Sequence, residues 1–328
     1  GGLASNYTLT GGTHNFTVNQ APISFTGSRQ YDGSTNANNS DLTLSGLISS
    51  QTLTLSGTGV ISSANVGSGK PVTLNTLSLA DNSGLAANYT FTGGTHTLSV
   101  TKRILNSSGS KTYDANTNAL AGAITLSNLV SGEALNHSGT ATISSANAGS
   151  YTISNLTGIS IADGSGGTAS NYTLTGGTHN FTVNRRVIGV SGTRLYDATT
   201  NAVASDLSTH ANLVGSQTLS LSGTGTLADA NVGSNKTVTI NTLALADGSN
   251  GGLAANYTLT GGTHQLTVNQ RPLNATLARQ YDATTTAAGS TLSSFDALQG
   301  GENLTMSGSG TAVSKNVANG IAMASNGN

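Results

Sequence analysis

Histidine is the residue of this chain best suited to bind a metal or move a proton. Four of the six histidines recur at a regular spacing: His14, His96, His179 and His264. Each is followed after two and four residues by apolar residues, which share its face of a β-strand. A zinc site commonly needs about four nitrogen or sulfur ligands at one point, but the chain has no cysteine and one such histidine per recurrence. The pattern predicts a hydrogen-bonded histidine at the rim of a core, with no metal bound there.

Three aspartates in turn-like segments are the best candidates for calcium ligands. Asp81, Asp163 and Asp247 each follow an alanine and precede Asn, Gly and Ser residues. Calcium takes about six to eight oxygen ligands, usually several of them carboxylates. Because each segment has one carboxylate, we predict plain tight turns, with calcium at these aspartates as the alternative. No other cofactor is expected. No Ser/His/Asp set converges in the sequence, so we expect no enzyme.

The elements that position these residues are repeated along the chain. The Tyr-Asp pair occurs as Tyr31-Asp32, Tyr113-Asp114, Tyr196-Asp197 and Tyr281-Asp282. The Asn-Tyr-Thr segment occurs at Asn6-Tyr7, Asn88-Tyr89, Asn171-Tyr172 and Asn256-Tyr257. Both landmarks, and Gly-Gly-Thr-His as well, return at spacings of 82, 83 and 85 residues. One shared register for three landmarks indicates a single module in tandem.

The landmark residues are predicted to be structural. The aspartate of Tyr-Asp precedes Gly or Ala and then a small polar residue, which is typical of an Asx turn. The tyrosines of both landmarks are expected to fill the small cores, and burying such a ring stabilises the fold by roughly 1.5–3 kcal/mol. Replacing Tyr196 by alanine is on this basis expected to cost roughly 3–5 kcal/mol.

Three whole repeats are predicted at residues 20–101, 102–184 and 185–269. Residues 1–19 match the C-terminal end of a preceding repeat, and residues 270–328 match the first part of a further one. We expect the native chain to continue in both directions. The alternative is that the first segment of one copy completes the last segment of another, which would give head-to-tail fibres.

Composition and patterning predict an all-β fold. Charged residues make up only 8% of the chain, and apolar residues alternate with polar ones in short runs such as Leu53-Thr-Leu55 and Val238-Thr-Ile240. Such alternation between turn-forming residues indicates half-buried strands. We predict β-sandwich or β-grasp-like modules of about 83 residues, each with six to eight strands, joined by short links into a semi-rigid rod. One helical turn is expected within residues 202–213. A β-solenoid is the alternative, although the apolar runs lack its shorter regular period.

Charge and hydropathy exclude two classes of partner. The net charge of −1 argues against nucleic acid, which requires a concentrated basic face. No apolar run approaches the length of about 20 residues that spans a bilayer, so no membrane span is expected.

Four segments of the first complete repeat together resemble the YDG repeat: Arg29-Gln-Tyr-Asp-Gly33, Leu53-Thr-Leu-Ser-Gly-Thr-Gly59, Ala64-Asn-Val-Gly67 and Leu85-Ala-Ala-Asn-Tyr-Thr90. This module is found in tandem in large bacterial surface adhesins of the filamentous haemagglutinin, two-partner secretion type. The chain departs from the pattern where alanine replaces the glycine of Tyr-Asp-Gly, at Ala115, Ala198 and Ala283, and in the segment Asn316-Val-Ala318. The resemblance implies an extracellular location on the bacterial cell surface and no catalytic residues.

The expected function is that of a stalk or filament body of a secreted adhesin or biofilm matrix protein. Its expected partners are neighbouring repeats of the same longer chain and other copies in a fibre. Exopolysaccharide or a host surface would be bound by regions outside these residues. The alternative is an array that binds glycan or protein directly, with weak contacts multiplied by avidity.

Overall fold

The structure is a computed structural model that describes residues 1–210, 212–288 and 292–324. It is all-β, with 45% of residues in strands, and its helical residues form short 3₁₀ turns. The predicted fold class is therefore confirmed. None of the helical turns in the described ranges is long and apolar enough to be a membrane-spanning helix.

The predicted repeat at residues 20–101 contains ten strands, some of them only two or three residues long. They are β1 Ala21–Pro22, β2 Ser24–Gln30, β3 Asn36–Asn38, β4 Leu42–Ser45, β5 Thr54–Ser56, β6 Thr58–Ile61, β7 Gly67–Thr73, β8 Ser78–Ala80, β9 Tyr89–Thr90 and β10 His96–Thr101. The expectation of six to eight strands was too low. A strand of two or three residues has too few positions for alternation to reveal it.

The first and last long strands of this repeat lie side by side. Strand β2 pairs in parallel with β10, with Phe25 opposite His96 and Gln30 opposite Thr101. The six-stranded sheet has the order β3-β6-β7-β10-β2-β4, while β1-β9 and β5-β8 form separate pairs. Because its two ends meet in one sheet, each repeat closes on itself. This topology is that of a module and not of a solenoid coil.

The core of this sheet follows from alternation along its strands. Phe25 on β2 and Leu98 and Val100 on β10 are buried on one side. Strand β2 also crosses directly over the carbonyl of Asp41, and a Cβ at Gly27 would overlap that carbonyl oxygen. Glycine is therefore required here for the close approach of two backbone segments.

The next two predicted repeats contain equivalent strands. Residues 102–184 form β11 Arg103–Ile104, β12 Asn106–Thr112, β13 Asn118–Leu120, β14 Ile124–Ser127, β15 Leu135–Ile143, β16 Gly149–Asn155, β17 Ile159–Asp163, β18 Tyr172–Thr173 and β19 His179–Asn184. Residues 185–269 form β20 Arg186–Val187, β21 Gly189–Leu195, β22 Asn201–Val203, β23 Leu207–His210, β24 Leu219–Ser222, β25 Thr224–Thr226, β26 Gly233–Thr237, β27 Ala244–Asp247, β28 Tyr257–Thr258 and β29 His264–Asn269. In both, the last long strand again lies beside the first.

Short 3₁₀ turns recur along the chain, and each except η1 is followed directly by a strand. They are η1 Ala4–Asn6, η2 Asn39–Asp41, η3 Ala86–Asn88, η4 Ala121–Ala123, η5 Ala169–Asn171, η6 Ala204–Asp206 and η7 Ala254–Asn256. The helical turn predicted within residues 202–213 is η6, and position 211 of that stretch lies outside the described residues.

The two ends of the chain differ from the repeats between them. Residues 1–19 contain only η1, and their side chains are exposed. Residues 270–328 form β30 Asn274–Leu277, β31 Thr286–Ala288, β32 Leu292–Asp296, β33 Ser309–Ala312 and β34 Met323–Ala324, with positions 289–291 and 325–328 outside the described residues.

The chain divides into two compact units whose bounds differ from those of the predicted repeats. One compact unit contains residues 1–110, 118–144 and 151–181, and the other contains 111–117, 145–150 and 182–328. Two short loops of the predicted 102–184 repeat, one with the Tyr113-Asp114 pair, therefore belong to the same compact unit as residues 185–269. A repeat is thus not the unit of packing. Its Tyr-Asp loop packs with the repeat that follows.

Candidate functional site

Three of the four recurring histidines lie in strands as the sequence predicted, whereas His14 is exposed and lies in no strand. His96, His179 and His264 are the first residues of β10, β19 and β29. Each Nε2 donates a hydrogen bond to the carbonyl five residues earlier, at 2.9, 2.7 and 2.8 Å. The ring thereby closes the Gly-Gly turn before the strand, which is a structural role.

The three candidate calcium ligands hold 3₁₀ turns instead. The Oδ1 atoms of Asp81, Asp163 and Asp247 each accept a backbone N–H at 2.7 Å, from the first residues of η3, η5 and η7. Each carboxylate thus binds a backbone N–H five to seven residues later, across a longer loop than a tight turn. The described residues contain no group of three or more His, Cys, Asp or Glu side chains that could hold a metal ion.

The aspartates of the Tyr-Asp pairs form the predicted Asx turns. Each Oδ1 accepts the backbone N–H two residues later, at 2.9 Å for Asp32, 3.1 Å for Asp114, 3.0 Å for Asp197 and 2.9 Å for Asp282. For Asp282, that backbone hydrogen bond from Thr284 lowers the pKa of the carboxyl. The turn reverses the chain directly after the tyrosine and so sets the direction of its ring.

A cation three residues before each aspartate was missed by the sequence analysis. Arg29, Lys111, Arg194 and Arg279 pair with the four carboxylates, Lys111 at 2.8 Å and Arg279 at 2.6 Å. Burial works against ionisation of Asp197, yet hydrogen bonds from Arg194 and Thr199 together lower its pKa. These ion pairs stiffen the loop that carries the tyrosine.

The tyrosines of the two landmarks meet between repeats. The ring of Tyr31, 5% exposed, packs edge-to-face on Tyr172 with centroids 5.5 Å apart. Both hydroxyls donate to the carboxylate of Glu133, each at 2.6 Å and each to a different oxygen. Burial, and then the hydrogen bond to Glu133, raises the pKa of Tyr31 to about 12. We call Tyr31, Glu133 and Tyr172 the first clasp.

The second clasp repeats this geometry with an amide. Tyr113 and Tyr257 are buried and pack edge-to-face at 5.4 Å. The Gln217 Nε2 donates to the Tyr113 hydroxyl at 2.9 Å, while the Tyr257 hydroxyl donates to Gln217 Oε1. Glutamine can both donate and accept, so it replaces glutamate without leaving a hydroxyl unpaired. The second clasp consists of Tyr113, Gln217 and Tyr257.

The prediction that these tyrosines fill the core of their own repeat was therefore wrong in part. Tyr31 and Tyr172 lie in one apolar cluster that also contains Phe25 and Leu98 of the first repeat. The cluster is continuous across the predicted repeat boundary. Sequence period shows that a tyrosine recurs, but it does not show which copy of the module covers the ring.

The asparagine of Asn-Tyr-Thr binds the loop of the preceding repeat. Asn171 is buried, its Oδ1 accepts the Val66 N–H at 2.9 Å, and its Nδ2 donates to Asn65 Oδ1 at 2.9 Å. At the next boundary the side chain of Asn256 makes the same two bonds to Ala148 and Asn147, at 2.7 and 3.0 Å. By contrast, Asn88 is exposed.

An arginine in the first strand of a repeat reaches back as well. Arg103 donates to the Tyr31 carbonyl at 3.4 Å, to the Asn128 carbonyl at 2.5 Å and to Asn128 Oδ1 at 2.9 Å. Arg186 donates to the Tyr113 carbonyl at 3.3 Å. The carbonyls of Tyr31 and Tyr113 are thus each bonded by the repeat that covers the ring.

Two tyrosines of the Tyr-Asp pairs lack this environment. Tyr196 is half-buried, and its hydroxyl donates to Glu302, which is the first cause of the raised pKa of Tyr196. Tyr281 is 61% exposed. Among the described residues, no second aromatic ring packs on either tyrosine. The ring of Tyr196 is only half-buried, and the predicted cost of replacing it by alanine stays a prediction. Tyr89, in turn, is buried and bonds Gln51 of its own repeat.

The clasp glutamate or glutamine is the residue that sequence reasoning overlooked. Its four copies lie 20 or 21 residues after the landmark tyrosine, and each is followed after one residue by leucine: Gln51, Glu133, Gln217 and Glu302. The alternation between Glu and Gln obscured this nearly constant offset from the tyrosine, although the sequence contains it.

Comparison with known proteins yields one family. The YDG domain matches residues 13–98, 97–179 and 182–267. No curated protein and no solved structure matches the chain. Each matched range begins a few residues before the repeat predicted from the sequence. The predicted repeat boundaries therefore stay predictions. The three tandem matches span most of the sequence, and the chain therefore belongs to the YDG domain family.

Proposed function

We propose that this chain is a structural spacer, the stalk or filament body of an extracellular bacterial adhesin or biofilm matrix protein. One observation carries the proposal. The residues that recur in every repeat bind one repeat to the next, in the same way at both boundaries between whole repeats.

The contacts suit a chain that must transmit force or hold distance. Each complete boundary combines two buried tyrosine rings, an asparagine with two hydrogen bonds and an arginine on a backbone carbonyl. The covalent link between these repeats is also short, because one residue separates the end of β19 at Asn184 from the start of β20 at Arg186. In tandem arrays of this kind, stability is the sum of repeat terms and nearest-neighbour terms. Adding repeats then adds length without a new type of contact.

The recurring polar side chains support a structural role over a catalytic one. The Nε2 atoms of the strand histidines, the turn aspartates and the clasp residues make hydrogen bonds within the fold. The extracellular and bacterial setting, and two-partner secretion, rest on the resemblance to adhesin repeats.

Small-angle X-ray scattering of the full chain tests this proposal. Substituting Glu133→Ala and Gln217→Ala together removes the central residue of both clasps. Gln51→Ala is the matched control, because Gln51 bonds Tyr89 of its own repeat. We expect the double variant to show a broader distribution of dimensions with unchanged circular dichroism, and the control to scatter as the parent does. Identical scattering from all three proteins would refute a spacer whose repeats are held together by the clasps. Specific binding of the full chain on a glycan array would favour the directly binding alternative.

A further inference from the structure

The first and last long strands of a repeat run in the same direction, side by side. In the third repeat, β21 pairs in parallel with β29 over six residue pairs, beginning at Val190 and His264 and ending at Leu195 and Asn269. In the first repeat, β2 and β10 pair in parallel over six residue pairs as well. The chain therefore enters each of these repeats at the start of the parallel pair and leaves it at the other end.

Shorter contacts extend this parallel ladder beyond the two long strands. Strand β20 pairs in parallel with β28, and the Ile188 N–H donates to the Thr258 carbonyl at 3.0 Å. At the other end, the Tyr196 N–H donates to the Asn269 carbonyl at 2.9 Å. The equivalent tyrosine of the first repeat makes the same bond. The ladder thus ends at the tyrosine of the Tyr-Asp pair, where the Asx turn reverses the chain.

Tension along the chain acts on this ladder as shear. It enters the third repeat before β21 and leaves it after β29, so it pulls the two strands past each other along their own axes. The hydrogen bonds of a parallel pair are evenly spaced, and under shear they are stretched together. The antiparallel pairs between these strands, such as β24 with β27, are bypassed until the ladder fails.

The position of the ladder within the sheet shields it. The strand order is β23-β21-β29-β26, so both strands of the ladder have a neighbour on their outer side. On one face, Val190, Leu266 and Val268 are at most 1% exposed. Water competes for the hydrogen bonds of an exposed backbone, and the buried face limits that competition while the bonds are stretched.

We propose that the first and third repeats have a further function as tension-bearing clamps, in which the parallel ladder between first and last strands resists extension of the chain. This function rests on the proposed role as a spacer and deepens it, since a stalk that holds a binding tip away from a surface is pulled along its length. Each clamp protects the fold of its own repeat under tension, while the clasps hold one repeat to the next.

Single-molecule force spectroscopy of the full chain tests the clamp, with pairs of introduced cysteines as attachment points. The chain contains no cysteine of its own, so the handles attach only there, under reducing conditions. Arg185→Cys with Gln270→Cys loads opposite ends of the ladder. Leu195→Cys with Gln270→Cys is the matched control, because it loads both strands at the same end. All three side chains are exposed, and circular dichroism verifies that both variants keep the fold.

The two geometries should differ in rupture force at the same loading rate. Forced unfolding follows the rate of crossing the unfolding barrier, and the control opens the ladder one bond at a time. We expect opposite-end loading to require roughly twofold higher force or more. Its rupture should lengthen the chain by roughly 250–300 Å, since each released residue adds about 3.3–3.6 Å.

The first repeat provides an independent comparison. Gln20→Cys with Lys102→Cys loads opposite ends of its ladder, and Gln30→Cys with Lys102→Cys loads one end. Equal forces in the two geometries, or a lower force for opposite ends, would overturn the clamp. Both handles lie in one repeat, so the boundaries between repeats carry no load. Failure of the clamp is therefore distinguishable from failure of the spacer, which the scattering experiment tests through the clasps.

Discussion

Replacing Tyr31 by alanine removes a ring that belongs to one repeat and is covered by the next. The ring is 5% exposed, packs on Tyr172 and donates to Glu133 at 2.6 Å. Truncating a buried aromatic ring to alanine costs roughly 3–5 kcal/mol. Tyr31→Phe keeps the ring but loses a hydrogen bond to a carboxylate, which costs roughly 1.5–3 kcal/mol. We expect both substitutions to destabilise the two repeats that meet at this residue.

Native-state hydrogen exchange read by mass spectrometry locates that loss. A tandem array does not unfold in one two-state step, so a local free energy is more informative than a single midpoint. For Tyr31→Ala we expect reduced protection both in strand β2 and in the loop around Glu133, which lies 102 residues away. Circular dichroism verifies that the strands persist.

Tyr281→Ala is the matched control for this experiment. Its ring is 61% exposed, and surface substitutions usually change stability by about 0.5 kcal/mol or less. If Tyr31→Ala lowers the local free energy by no more than the control does, or if the loss is confined to residues 20–101, the clasp does not couple the repeats.

Three further outcomes follow from single contacts. Burial and the Glu133 bond raise the pKa of Tyr31 from 10.0 to about 12. The stability that the neutral hydroxyl contributes is therefore complete below pH 10 and is lost as the pH rises toward 12. Thermal melts across this range should show a smaller fall in melting temperature for Tyr31→Phe than for the parent. Gly192→Ala places a Cβ against the Asp206 carbonyl oxygen and should cost roughly 3 kcal/mol or more in urea unfolding, whereas the same change at the open position Gly122 should be nearly neutral. Asp163→Ala removes the acceptor that holds η5 and should lower the free energy of unfolding by about 1 kcal/mol. The melting temperature of the parent should be the same with calcium and with a chelator. A rise with calcium would show that the loop binds the ion.

Much of the fold could be predicted because its signals are local. The Asx turn at Asp32 depends on a carboxylate and an N–H two residues later, and the His179 ring bonds a carbonyl five residues earlier. Alternation predicted a strand at Leu53-Thr-Leu55, where β5 lies, but the run Val238-Thr-Ile240 follows the end of β26 at Thr237. Contacts within a few residues are set by chain geometry, so the residue types and their spacing are enough to infer them.

The contacts between repeats could not be found in the same way. Tyr31 is one landmark and Tyr172 is another, but their sequence separation gives no reason to pair Tyr31 with Tyr172 instead of Tyr89 of its own repeat. Burial of the ring and the pairing of both hydroxyls with Glu133 depend on which surface of the next module covers the loop.

The sequence by itself determined the repeat, the all-β class, the turn chemistry and the family, because a tandem period and local hydrogen bonds are visible along one chain. Only the tertiary structure decided that the Tyr-Asp and Asn-Tyr-Thr landmarks bind across repeats. A module of this size presents several faces, and the face that buries a neighbour's tyrosine is selected by packing between residues more than 100 positions apart, which no pattern within a single repeat records.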